Sequence, residues 1–156
     1  MISQVKIFEE LIKKDKKLRI IFDIKKNCPF LKNRKIDEEL LFFELSQSIV
    51  GQQISAKAAE AIWGRIVESS KKESSFIKAM AQSNLRWART QGLSQRKHEY
   101  IKSIARNILS NKLSLESIEN LDNQEAIEFL SSIKGIGPWT AEMFLMFAYR
   151  RLDVFS

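Results

Sequence analysis

The sequence is poor in the residues that build disulfides and metal centres. Among its 156 residues there is one cysteine, Cys28, and one histidine, His98. A single cysteine excludes a disulfide framework or a four-cysteine zinc or iron–sulfur site within this chain, and a single histidine excludes a zinc site built from several histidines. No apolar run approaches the length of a membrane-spanning helix, and residues 1–6 lack the hydrophobic core of a signal peptide. We therefore expect a protein of a reducing compartment, the cytosol or the nucleus.

Basic residues outnumber acidic ones. Lysine and arginine total 26 against 19 aspartates and glutamates, which gives a net charge of +7 and a pI of about 9.6. Such an excess favours a polyanionic partner, although a lysine-rich proteome would produce the same balance. The length suits one domain with a real core, or two small lobes.

The sequence pattern is that of helices joined by short loops. Apolar residues recur every three to four positions in three long stretches, residues 38–50, 55–67 and 94–109. No alternation with a period of two is long enough for a strand, so the predicted fold class is all-α. The pattern breaks around Cys28 and Pro29. We predict a lysine-rich helical segment over residues 1–36, packed on a domain formed by residues 37–156.

The most informative segment, residues 122–148, indicates a helix, a hairpin with two glycines and a second helix. Asp122 and Glu125 form a capping-box pattern at the start of the first helix. Gly135 can take a positive φ and end that helix. Gly137 lets another backbone approach closely, and Pro138 suits the first position of the second helix.

This hairpin predicts an anion site. The backbone N–H groups of Gly135, Ile136 and Gly137, with the positive end of the next helix, can hold a phosphate without any side-chain charge. The alternative is an αα-turn whose glycines only permit the turn. The flanking Lys134 and the run Pro138-Trp139-Thr140-Ala141 favour the phosphate site.

A second candidate segment covers residues 48–55. Gly51 can end one helix and Ser55 can cap the next, which leaves Gln52 and Gln53 at a tight turn. A protruding amide both donates and accepts hydrogen bonds, which suits probing the gap left by a base taken out of a duplex. The alternative is that both glutamines cap the turn.

A third candidate segment begins at Gly92 and Ser94, which mark the start of a helix. Arg96 and Lys97 fall in its first turn, where cations oppose the helix dipole. A phosphate partner would explain them, and a plain solvated face is the alternative.

Together these segments resemble the helix-hairpin-helix DNA glycosylase superfamily, and within it the 3-methyladenine DNA glycosylase II branch. The matching stretches follow the family's order, in residues 42–59, 92–97, 133–141 and 153–155. The resemblance implies the helix-hairpin-helix glycosylase fold and a role in base-excision repair. The enzyme would be a monofunctional N-glycosylase that flips alkylated bases out of double-stranded DNA, and a monomer when complete.

The resemblance also implies site residues by position. Gln53 would enter the vacated space, and the other DNA-contacting positions are Ser55, Lys134, Gly135, Ile136, Gly137 and Thr140. Trp139 would line the base pocket, where an aromatic face attracts cationic bases; core packing is its alternative. A monovalent cation would be held by the backbone carbonyls of Ser131, Ile133 and Ile136. No iron–sulfur cluster or other required cofactor is implied, and His98 is expected at the surface or facing the DNA.

The catalytic residue is not assigned. The bond breaks through a sugar with oxocarbenium character, which a carboxylate stabilises. In the family this is an aspartate a few residues after the motif Asp153-Val154-Phe155. The sequence ends at Ser156, so we expect a chain truncated before that aspartate, without the C-terminal part of the fold and with Phe144 and Phe147 exposed. Trp139 stands where the strand-cleaving branch carries its Schiff-base lysine, which argues against lyase activity.

The sequence therefore leaves two alternative functions open. The first is a DNA-3-methyladenine glycosylase II-like enzyme of the bacterial nucleoid or the eukaryotic nucleus. The second is a catalytically inactive helix-hairpin-helix fragment that only binds DNA. A purely structural helical domain is a third and weaker alternative, which salt-dependent binding to duplex would exclude.

Overall fold

The computed structural model describes residues 4–20 and 35–155, with side chains from residue 9 onward in the first range. These residues contain no strand, which confirms the all-α class. The helices are α1 (Gln4–Lys14), α2 (Glu38–Gly51), α3 (Ala56–Ser70), α4 (Phe76–Gln82), α5 (Leu85–Gln91), α6 (Gln95–Leu109), α7 (Asn123–Ser132) and α8 (Pro138–Phe147), with a 3₁₀ helix (Glu116–Asn120) before α7. In this part of the chain, every helix is too short or too polar to cross a membrane.

The chain divides into two compact units, residues 1–34 and 35–156. In the first, α1 ends with Lys13 and Lys14, whose charges suit the negative end of the helix dipole. The predicted break at Cys28 and Pro29 lies outside the described residues. The packing of the N-terminal segment on the domain stays a prediction.

Local capping sets the start of six helices in the second unit. In each case a side chain before the helix accepts a hydrogen bond from a backbone N–H of the first turn. The capping residues are Asp37, Ser55, Ser75, Asn84, Ser94 and Asp122. Asp122 forms the predicted capping box with Glu125. Ser55 and Ser94 thus define where α3 and α6 begin, at two of the three candidate segments.

Helix α2 lies at the centre of the second unit and contacts α3, α4, α6 and α8. Its buried face consists of Leu41, Phe42, Leu45, Ser46, Ile49 and Val50. Beside it, Phe43 meets the rings of Trp63 and Phe76 edge-on, with centroids 4.8 Å and 5.1 Å away. This packing fixes α2, whose C-terminal end leads directly into the turn at Gln52 and Gln53.

Two carboxylates fix the other end of α2. Glu38 accepts hydrogen bonds from the N–H groups of Leu115, at 2.7 Å, and Glu116, at 3.2 Å. Glu39 accepts from the N–H groups of Phe76 and Ile77 at the start of α4. Because both acids satisfy N–H groups that begin other helices, α2 is tied to the 3₁₀ helix and to α4 before it reaches the site.

The expectation for His98 is wrong. Its side chain is buried, with 5% of its surface exposed, and its Nε2 lies 2.9 Å from Ser83 Oγ. Burial lowers the pKa of His98, and the nearby Lys102 lowers it further. The physical reason is helical spacing, because position 98 lies on the same face of α6 as the buried Ile101 and Ala105.

Candidate nucleic-acid interface

The hairpin between α7 and α8 forms as predicted, with one shift. Helix α7 ends at Ser132 rather than at Gly135, and the N–H of Ile133 donates to Leu130 O. Gly135 follows in the turn with a φ of 98°. Helix α8 then begins at Pro138 with Gly137 as its N-cap. We call residues 133–137 the hairpin.

The two glycines of the hairpin serve different needs. A Cβ at Gly135 would lie 2.2 Å from Cδ2 of Tyr100, so this position is closed on its inner side by a ring of α6. A Cβ at Gly137 would meet no atom within 4 Å. Gly137 therefore faces open space, as the predicted approach of an external backbone requires.

The structure corrects the predicted set of phosphate donors. The N–H of Ile136 donates to Ile133 O at 3.0 Å, and the Ile136 side chain is buried with 4% exposed. Its N–H is thus used inside the hairpin and does not face a ligand. For the N–H groups of Gly135 and Gly137 there is no acceptor within the described part of the chain. Lys134 is exposed beside them. Two of the three predicted backbone donors therefore stay available, and phosphate binding at the hairpin stays a prediction.

The turn after α2 brings Gln53 to the surface. Gln53 is exposed and has a φ of 57°, the left-handed conformation that non-glycine residues seldom adopt. Ser55 next to it is exposed and caps α3, with its Oγ 3.3 Å from the N–H of Ala58. We call residues 52–55 the Gln53 turn. Its geometry agrees with the predicted protruding amide, whose role stays a prediction.

Gln52 points the other way and joins this turn to the hairpin. Its Nε2 donates to Gly135 O at 3.0 Å and lies 3.4 Å from Thr140 Oγ1. Thr140 is buried, with 5% exposed. Its hydroxyl therefore holds Gln52 rather than facing outward, and this placement favours a supporting role over the predicted contact with DNA.

Lys97 contacts the backbone of the same turn. Its Nζ donates to Val50 O at 2.8 Å and to Gln52 O at 2.6 Å. Burial lowers the pKa of Lys97, and the positive charge of Arg96 adds to this effect. The interpretation of Lys97 as a plain solvated residue is wrong, because its ammonium caps the C-terminal end of α2; a phosphate contact stays a prediction. Arg96 is exposed, so a phosphate contact and a plain solvated face both stay possible interpretations of that residue.

Trp139 is 62% exposed, so its alternative role in the core is wrong. It lines a cleft of about 310 Å³ between α2 and α8. The other lining residues are Glu44, Gln47, Ser48, Met143, Phe144, Phe147 and Ala148. Phe147 is 47% exposed, as expected, whereas Phe144 is 4% exposed. The expected exposure of Phe144 is wrong because its ring packs edge-on against Tyr149, with centroids 5.6 Å apart.

The polar side of this cleft was missed from the sequence. Glu44, Gln47 and Ser48 are spaced three and four residues apart on α2, which puts them on one helix face. That spacing is visible in the sequence, beside the stronger pattern of the apolar face of α2. The result is a carboxylate in the same cleft as an exposed indole.

The predicted cation site can be tested against the hairpin geometry. Ser131 and Ile133 stand at the C-terminal end of α7, where the helix dipole favours a cation. The carbonyl of Ile133 already accepts the N–H of Ile136 and keeps one lone pair. The buried Ser131 Oγ has no hydrogen-bond partner among the described residues. The residues fit a small cation, and its binding by Ser131, Ile133 and Ile136 stays a prediction. No group of three His, Cys, Asp or Glu residues in the described ranges could hold a metal ion.

Asp153 lies apart from the residues that line the cleft. Its side chain is exposed and its backbone carbonyl is 3.4 Å from Asn123 Nδ2. Arg151 strengthens the same connection, since it donates to Asn123 Oδ1 at 2.8 Å and to Ile118 O at 2.7 Å. This arrangement ties residues 151–153 to the start of α7.

The sequence of this chain is similar to those of known DNA repair proteins. Residues 47–156 match the family described as HhH-GPD superfamily base excision DNA repair protein. The chain is 36% identical over 124 residues to a DNA-3-methyladenine glycosylase of Schizosaccharomyces pombe, covering 78% of this chain and 54% of that protein. It spans about half the length of the curated relatives that it matches.

Solved structures show the same fold. A DNA-3-methyladenine glycosidase from Bacillus halodurans is 34% identical and superposes with a TM-score of 0.71, over 93% of this chain and 64% of that one. The Schizosaccharomyces pombe 3-methyladenine DNA glycosylase in complex with abasic DNA is 33% identical, with a TM-score of 0.65 over 81% of this chain and 65% of that one. The predicted helix-hairpin-helix glycosylase architecture is therefore confirmed.

Proposed function

The chain belongs to the HhH-GPD superfamily of base excision DNA repair proteins, and from that premise we propose that it is a monofunctional DNA glycosylase for alkylated bases, of the 3-methyladenine II type. Its partner would be double-stranded DNA containing such bases, bound by one copy of the chain, in a nucleoid or a nucleus. The observation that carries the proposal is the exposed Trp139 in one cleft with Glu44.

The substrate class follows from the chemistry of that cleft. Alkylation at a ring nitrogen gives a base a positive charge. An indole face attracts such a base by cation–π interaction, and a carboxylate in the same cleft adds Coulomb attraction. A neutral, undamaged base receives neither contribution. The cleft would therefore select for the charge that alkylation creates rather than for one hydrogen-bonding pattern.

The hairpin and the Gln53 turn would hold the DNA in the required form. The N–H groups of Gly135 and Gly137, with the positive end of α8, address a phosphate oxygen. Gln53, exposed at a turn, would enter the space that the base leaves and pair with the remaining base through its amide. A monovalent cation on the carbonyls of Ser131, Ile133 and Ile136 would be an accessory of this phosphate site.

The reaction is hydrolysis. The bond between C1′ of the sugar and the base nitrogen breaks, the bonding electrons leave with the alkylated base, and the base departs neutral. A water oxygen then bonds to C1′ and releases its proton. Trp139 occupies the position at which a lysine would form a Schiff base, so no cleavage of the DNA strand accompanies base release.

Base release from duplex tests the activity. Methylated duplex is incubated with the chain and the freed base is separated and identified. We expect release of 3-methyladenine from DNA whose strands stay intact. Release of undamaged bases at an equal rate would contradict the substrate class, and strand cleavage would contradict the monofunctional mechanism.

Binding without chemistry is the second candidate function. The observation that favours it is the position of Asp153, whose carboxylate is exposed and does not line the cleft. Both candidates require salt-dependent binding to duplex. If two or three phosphates are contacted, affinity should fall roughly ten- to fifty-fold between about 50 and 200 mM salt. Affinity that does not change with salt would contradict both.

A further inference from the structure

A single side chain connects the two parts of the proposed interface. Gln52 belongs to the Gln53 turn, and its Nε2 donates to Gly135 O across 83 residues of sequence. Its second contact, Thr140 Oγ1, is buried in the first turn of α8. The Gln52 side chain thus bonds to both flanks of the site that would hold a phosphate, while the next residue, Gln53, faces outward.

Lys97 fixes the backbone from which Gln52 projects. Its ammonium donates to the carbonyls of Val50 and Gln52, which lie at the C-terminal end of α2. Those carbonyls carry the negative end of the α2 dipole, so a cation is favourable there. For its own helix the same charge is unfavourable, because Lys97 lies in the first turn of α6. The position of Lys97 is therefore explained by the turn that it holds.

These contacts link α6 to the Gln53 turn and the Gln53 turn to the hairpin. We propose that Lys97 and Gln52 are positioning residues, which hold Gln53 at a fixed distance from the phosphate site so that both act on the same nucleotide. The inference rests on the proposed function. Neither residue is required to touch DNA.

Binding to an abasic site tests the link separately from general affinity. The measured quantity is the ratio of dissociation constants for intact duplex and for the same duplex with one abasic site. Gln53→Ala and Gln52→Leu should each lower this preference, by about five- to ten-fold if roughly one hydrogen bond is lost. The double variant should show no further fall, because Gln52 acts through Gln53.

Several outcomes would overturn the inference. An unchanged preference in Gln52→Leu would do so, and so would losses that add fully in the double variant. Gln52→Glu serves as a second variant of nearly equal size, since its carboxylate has no N–H to donate and repels Gly135 O. The ratio is measured on one preparation, so a partly folded sample lowers both affinities without changing it.

Failure of the proposed function gives a different result. If the unmodified chain has no preference for the abasic site, or if Gln53→Ala leaves that preference intact, the proposed role of Gln53 is wrong. The positioning inference then falls with it. If Gln53→Ala behaves as expected and Gln52→Leu does not, only the positioning inference is wrong.

Lys97→Met and Arg96→Met form a matched pair of variants that tests the role of Lys97. Each removes one positive charge from the first turn of α6, so a general effect of charge on DNA binding should appear in both variants. Only Lys97→Met should lower the abasic preference. An equal loss of preference in both variants would show an effect of charge alone and would overturn the role of Lys97.

A measurement without DNA checks the route. Lys97→Met should shift the amide resonances of the hairpin, and that shift should vanish in the Gln52→Leu background. The background is needed because Tyr100 of α6 also packs against Gly135 and offers a second path. A shift that persists in the Gln52→Leu background would show that Lys97 affects the hairpin through Tyr100. That result would overturn the proposed route through Gln52.

Discussion

The ring of Tyr100 occupies the space into which a side chain at Gly135 would project. An added Cβ would lie 2.2 Å from Cδ2 and 2.6 Å from Cγ of that ring. Gly135 also has a φ of 98°. The hairpin therefore packs on α6 at Gly135, where both the backbone conformation and the available space disfavour a side chain. Gly137, two residues on, has neither restriction.

This difference makes the two glycines a matched pair. Gly135→Ala should lower the free energy of unfolding by about 1–3 kcal/mol, from the left-handed backbone and the displaced ring. In a Tyr100→Ala background the same change should cost less, because only the backbone contribution remains. Thermal or denaturant unfolding of the four proteins measures this, and equal costs in both backgrounds would contradict the packing argument.

Gly137→Val should act on binding instead. The residue faces open space at a φ of −95°, which a β-branched residue can adopt. The loss of a favourable N-cap residue should cost about 1 kcal/mol or less. Duplex binding should fall much more, because the new side chain stands where a DNA backbone would approach. Unchanged affinity in a salt titration would remove Gly137 from the interface.

The parts of the site that could be predicted are those fixed by short-range sequence. The capping box of Asp122 and Glu125 and the start of α8 at Pro138 depend on a few neighbouring residues. The link from Gln52 to Gly135 could not be predicted, because nothing local specifies a partner 83 residues away. Lys97 shows the same limit: its unfavourable position in α6 is visible in the sequence, whereas its acceptors, the carbonyls of Val50 and Gln52, are not.

Burial was the other quantity that the sequence left open. Thr140 and Trp139 are neighbours, yet their exposed fractions are 5% and 62%. Which of them faces the core depends on how α8 is rotated against α2, and that is set by packing across the whole unit. The burial of His98 could not be predicted for the same reason, because a lone polar residue can still lie on the buried face of a helix.

The loss of stability in Trp139→Ala should show whether Trp139 lines the pocket or packs in the core. Because the side chain is 62% exposed, the free energy of unfolding should fall by less than about 1 kcal/mol. Trp63, at 8% exposed, is the control, and Trp63→Ala should cost about 3–5 kcal/mol. At the same time Trp139→Ala should weaken binding of a free cationic base analogue. A stability loss as large as that of Trp63→Ala would return Trp139 to the core.

His98 should make stability depend on pH. Its pKa is lowered in the folded protein by burial, while in the unfolded chain it is near 6.5. The unfolded state therefore binds more protons at mildly acid pH, so this stabilisation is complete above about pH 6.5 and is lost as pH falls through the folded pKa. His98→Gln should flatten the difference in melting temperature between pH 7 and pH 5. An equal fall in both proteins would assign the effect to other groups.

The last prediction concerns which carboxylate faces the sugar cation. Of the residues that line the cleft with Trp139, Glu44 is the acid, whereas Asp153 is exposed at the start of α7. Glu44→Gln should weaken attraction for a cationic base, and Asp153→Asn should leave it unchanged. If neither group lies against the sugar, the chain should release 3-methyladenine roughly 10²–10³-fold more slowly than the Schizosaccharomyces pombe relative assayed beside it, the cost of one missing electrostatic stabiliser. Rapid release that Asp153→Asn abolishes would identify Asp153 as the catalyst, and rapid release that Glu44→Gln abolishes would identify Glu44.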